Sequence, residues 1–219
     1  MYKNIYLWLE FVGIFIVIPL LVWQRVIDTP LIMIPVILVC IPATIWLVKK
    51  HGFTRKLFWL GDRDAEYTHI ITIINRFLLI SIVLFFIVFL AYPLHLFDMP
   101  RNMTRTWLLL LLIYPVISVY PQELLYRVFF FYRYEGLLKN PQILFVLNAV
   151  LFGWMHIVFH NLLAVAFSIV AGLLFADTYR KTQSMRLTCL EHTLYGYLIF
   201  TLGYGEAFLS EPWLRMLSS

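Results

Sequence analysis

Two pairs of polar residues in this chain stand four positions apart inside apolar surroundings, Glu123 with Arg127 and His156 with His160. A separation of four puts both members of a pair on one helical face. A charge inside a membrane-length apolar run faces the interior of a bundle and marks a candidate functional site. Glu10, Glu123, Arg127, His156, His160 and His192 meet that description, with Gln122 and Asn148 as neutral companions. The chemistry open to glutamate and histidine in such a place is water activation, in which a carboxylate or imidazole takes a proton as water attacks a peptide carbonyl. A second imidazole or an amide then donates a hydrogen bond to the developing oxyanion. Each group also has a quieter reading. Glu123 and Arg127 form a self-neutralising ion pair, and His156 and His160 are hydrogen-bonded histidines near an interface. Glu191 and His192 cap or anchor the start of a span, and Gln122 and Asn148 bond neighbouring helices. Between His156 and His160 there is no glutamate, so HExxH is absent. No cofactor is expected, and a divalent metal such as zinc is the lesser alternative.

The elements that position these residues must be membrane helices. Of 219 residues, 62% are hydrophobic and 13% charged, against about 45–50% and about 25% in soluble domains. At about 20 residues per crossing, the length allows roughly six to eight spans. The expected fold is all-α, a polytopic transmembrane bundle of about seven or eight helices including one interfacial or kinked element, in a single integral membrane domain over 1–219. The net charge of +5 reflects basic residues at the ends of apolar runs, as the positive-inside rule requires, and not a nucleic-acid-binding face. Cys40 and Cys189 make no CxxC pair. Runs at Ile5–Trp23 and Leu31–Val48 precede the polar, aromatic-rich stretch Lys49–His69, which reads as an interfacial segment on the cytoplasmic side. The N-terminus is then cytoplasmic in a multi-pass protein of the cell membrane. Further runs cover Ile70–Ala91, a segment from Thr106 past Pro115 and Pro121, Gln142–His160, Asn161–Tyr179 and Thr188–Phe208. The two prolines either kink one long helix or divide two elements.

On these residues the chain resembles the CPBP intramembrane proteases, the family of CAAX prenyl endopeptidases and bacteriocin-processing or Abi proteins. Gln122–Arg127 looks like its EExxxR motif, Phe152–His156 like FxxxH, and His192–Gly196 like HxxxN, all within 106–205. The resemblance implies a bundle of roughly eight helices around a water-accessible cavity. It further implies an intramembrane endopeptidase, with the catalytic residues Glu123, His156 and His192. Gln122, Arg127, Phe152, His160 and Gly196 are expected in support. Two positions depart from the motifs: Gln122 stands where the family has its first glutamate, and Gly196 where it has asparagine. Glu123 is the expected substitute base, provided that its helix is rotated or kinked, because adjacent helical residues point about 100° apart. The expected partner is a membrane-associated peptide or protein within the bilayer, not nucleic acid. The alternative is a non-proteolytic relative that binds such partners as a chaperone, immunity or assembly factor. A transporter is disfavoured by the absence of an internal repeat.

Overall fold

The structure, a computed structural model, describes residues 2–26, 42, 46, 63–138 and 140–208. Among them it is all helical, with seven helices: α1 (2–23), α2 (Arg63–Ala91), α3 (Asp98–Asn102), α4 (Thr104–Tyr134), α5 (Pro141–Met155), α6 (Leu162–Thr182) and α7 (Met185–Leu202). Five are long and apolar enough to cross a membrane, at Ile5–Trp23, Glu66–Ala91, Thr104–Tyr134, Pro141–Phe159 and Leu162–Thr182. The chain is an integral, multi-pass membrane protein. Apart from residues 42 and 46, the expected span Leu31–Val48 lies outside the described residues, as do residues 49–62 of the polar stretch. Helix α2 shows why lipid is needed. Leu78, Leu79, Ile82, Val83 and Leu90 stand exposed along it, a patch that water would not tolerate but hydrocarbon does.

Helix α4 passes both prolines without a break, so the single-helix alternative holds. It contains two π-helical segments, Pro115–Val119 and Leu124–Phe129. Proline lacks an N–H and its ring crowds the carbonyl four residues back. For Pro115 that carbonyl is Leu111's, and the Tyr197 hydroxyl of α7 donates to it. In the second segment the Tyr126 carbonyl accepts from Asn148 Nδ2 of α5 at 2.5 Å. Each irregularity is thus tied to a neighbouring helix by a polar group that would otherwise lie unpaired in lipid.

Aromatic packing seats α1 on α4. Phe15 meets Tyr126 at 5.3 Å and Phe130 at 5.3 Å, and Phe11 meets Tyr134 at 5.2 Å. Arg133 closes the contact with two hydrogen bonds to the Glu10 carboxylate, at 2.8 and 2.7 Å, and Tyr134 adds a third at 3.0 Å. Glu10 is therefore a helix-joining acid whose partners lie away from the histidines.

The junction that carries neither proline nor glycine is turned by His160, in the left-handed region at φ 53°. Asn161 then caps α6 by accepting from Leu163 N at 2.9 Å. Helices α5 and α6 approach closely through glycine. A Cβ added at Gly153 would lie 2.9 Å from Ile169 N and 3.0 Å from Val165 O. Overpacking of this kind costs about 1–3 kcal/mol, so Gly153→Ala should lower the unfolding temperature of the purified protein. Gly13→Ala has nothing within 4 Å and should leave that temperature unchanged or raise it.

Candidate active site

The second π segment of α4 follows immediately after Gln122 and Glu123. Glu123 is fully buried and turns toward α7, where its Oε1 accepts from His192 Nδ1 at 2.8 Å. Its Oε2 lies 3.2 Å from Arg127 Nε, an ion-pair contact that is not aligned as a hydrogen bond. Arg127 is likewise fully buried. It donates from Nη1 to Asn148 Oδ1 at 2.5 Å and lies 4.9 Å over the Phe152 ring. The intrahelical pair anticipated from spacing is therefore present, and it extends into a Glu123–Arg127–Asn148 chain that also engages His192.

Phe152 forms the floor between the two histidines, its ring 5.0 Å from His156 and 5.5 Å from His192. Phe175 of α6 stacks on the other side of His192 at 4.6 Å. The tautomers follow from the partners. His192 presents Nδ1–H to a carboxylate, which leaves Nε2 for a ligand. His156 places Nδ1 2.7 Å from the Phe152 carbonyl. A carbonyl only accepts, so Nδ1 holds the hydrogen and Nε2 keeps its lone pair.

Gln122, His156, His192 and Gly196 all line one cavity of about 470 Å³ inside the bundle, whose walls are otherwise mostly apolar. Glu123 is not on that lining. Gln122 donates from Nε2 to Ser118 Oγ at 2.8 Å, and its buried Oε1 has no hydrogen-bond partner among the described residues. Pro121 and the π turn thus leave the amide on the cavity and point the carboxylate behind His192. His160 is not on the lining either; it stacks on Trp23 at 6.0 Å.

Residues 104–198 match a family model described as type II CAAX prenyl endopeptidase Rce1-like. This is an Rce1-like domain match. The Rce1-like region spans the helices that contribute Gln122, Glu123, Arg127, His156, His192 and Gly196. Comparison with curated proteins gives no match, and neither does comparison with solved structures. Among the described residues, no three His, Cys, Asp or Glu side chains converge on a point, and the nearest carboxylate to the histidines is already paired with Arg127.

Arg76 is an intramembrane charge that sequence reasoning missed. It lies mid-span in α2, bonding Glu191 at 2.5 Å and Thr178 at 2.8 Å. Glu191 is fully buried and also accepts from Thr178 at 2.6 Å. The rule that selected Glu123 applies to Arg76 equally, so the signal was present. Glu191 does not cap α7; Ser184 does, accepting from Leu187 N at 3.3 Å. The residue adjacent to His192 is instead bolted to α2 and α6.

Proposed function

We propose that this protein is an intramembrane endopeptidase that hydrolyses peptide bonds of membrane-associated peptides or proteins. The observation that carries the reading is that His156, Gln122 and the Glu123-bound His192 share one cavity within the membrane span. In the proposed step, His156 Nε2 takes a proton as a water oxygen bonds to the scissile carbonyl carbon. Gln122 Oε1 accepts the water's second hydrogen and holds its lone pair toward that carbon. His192, taken as doubly protonated in this step, donates from Nε2 to the oxyanion, and Glu123 holds its opposite N–H. Collapse of the tetrahedral species breaks the C–N bond, and His156 returns its proton to the departing amine. Glu123 acts through His192, and Arg127 keeps the buried carboxylate in place. No metal enters the step. The protein lies in the cell membrane with its N-terminus on the cytoplasmic side.

A second reading rests on Gln122 itself, since an amide on the cavity and a carboxylate neutralised by Arg127 suit binding without hydrolysis. The protein would then act as a chaperone, immunity or assembly factor for a membrane peptide. One comparison separates the two: membrane-protein N-termini in cells holding the unaltered protein or the Glu123→Gln, His156→Ala variant at equal abundance. Hydrolysis yields new termini with the unaltered protein alone, reproduced by purified components. Capture of a membrane peptide by both forms, with identical termini, establishes the second reading.

A further inference from the structure

We propose that Tyr114 is a catalytic residue of this site, its hydroxyl donating the second hydrogen bond to the oxyanion beside His192. The inference rests on the hydrolytic reading above but is carried by a different observation, the space over Gly196. This glycine lies one helical turn after His192 and faces the same cavity. A Cβ built there would meet Tyr114 at 2.2 Å from Cε1, 2.5 Å from Cζ and 2.6 Å from the hydroxyl oxygen. Tyr114 therefore fills the volume that any side chain at 196 would need, and it brings a phenol where the backbone supplies no donor. The phenol end of the ring, not its stem, makes that approach.

Three contacts fix the ring. It stands edge-on to His192 at 5.9 Å and 81°, edge-on to Phe200 at 5.2 Å, and tilted against Tyr197 at 6.4 Å. Tyr197 in turn donates to the Leu111 carbonyl at the first π segment, one turn before Tyr114's successor Pro115. The same irregularity that admits Pro115 thus sets where the preceding tyrosine lies. Among the described residues the Tyr114 hydroxyl has no hydrogen-bond partner, and Tyr114 lines the cavity with His192. A donor held without a competing acceptor, next to an imidazole that also donates, is the arrangement an oxyanion needs.

The test uses the purified full chain in lipid nanodiscs with a peptide taken from the cleaved terminus. If no terminus is found, a captured membrane peptide serves. The matching phosphinate peptide, which carries a charged oxygen in place of the scissile amide, is the second probe. Tyr114→Phe should lower kcat by about 10²-fold with KM nearly unchanged. It should weaken phosphinate binding by a similar factor and leave amide-peptide binding alone. Tyr114→Ala with Gly196→Asn opens the volume and supplies an amide donor, and should regain much of both losses. Wild-type phosphinate preference in Tyr114→Phe overturns the assignment, as does an unaltered protein that binds phosphinate and amide equally. An unaltered protein that prefers the phosphinate but cleaves nothing refutes hydrolysis alone, and the Tyr114→Phe ratio then still decides the donor.

Discussion

Substituting Gln122→Glu should raise turnover, by less than the roughly 10²–10⁴-fold that a general base contributes where none was present, because His156 already serves. Gln122 is buried, lines the cavity, and has an Oε1 without a partner among the described residues while its amide nitrogen bonds Ser118. Glutamate has the same shape, so the change puts a carboxylate oxygen where the amide oxygen stands and shifts proton removal from His156 alone to a stronger pair. The kcat of the purified variant, on a peptide taken from the cleaved terminus, reads the gain directly. Stability should move the other way. A second carboxylate next to Glu123 has only one guanidinium, Arg127, in its immediate helix turn, so the unfolding temperature should fall as turnover rises. An unchanged kcat would mean that the attacking water does not sit at Gln122.

Arg127→Met should destabilise the protein by about 3–5 kcal/mol, the cost of leaving a buried charge without its partner. Glu123 and Arg127 are both fully buried, and Arg127 also bonds Asn148 and lies over Phe152. Methionine keeps much of the stem's volume, which isolates the charge from the packing. Adding Glu123→Gln removes the carboxylate that has lost its guanidinium and keeps only His192, and should restore most of the loss, because replacing both members of a buried pair is far milder than removing one. Denaturant unfolding in mixed micelles, run on the two single variants and the double, gives the coupling. Equal losses in Arg127→Met and the double variant would show that packing on Phe152, and not the ion pair, is what Arg127 supplies.

Much of this architecture was legible from composition, because hydrocarbon imposes few solutions on a chain that is 62% apolar. The candidate site was legible through expense: Glu123, Arg127, His156 and His192 are too costly in lipid to be incidental. What could not be read was direction. Nothing in the sequence says that Glu123 meets His192 while Gln122 takes the cavity, since that depends on local helical phase. The partners of Glu10 and Glu191 were hidden for a related reason. Arg133 lies 123 positions from Glu10, and Arg76 lies 115 from Glu191, so only tertiary packing pairs them. Tyr114 was hidden because its role depends on a side chain that Gly196 lacks. The start of α6 was hidden because it is set by a cap and not by proline or glycine: Asn161 accepts from Leu163 N.

The two π segments of α4 have a consequence for how such a site changes over generations. A π turn is in effect one residue inserted into an α-helix, and each residue carries about 100° of rotation. Deleting one residue of α4 outside a π turn swings everything after it by that angle, exchanging which of two adjacent side chains looks into the cavity, whereas a deletion that rewinds Pro115–Val119 leaves the later side chains near where they were. Length polymorphism, not only substitution, is therefore a route by which an amide and a carboxylate trade places, and aligned relatives should be compared for indels at 115–119 and 124–129 before their glutamates are equated.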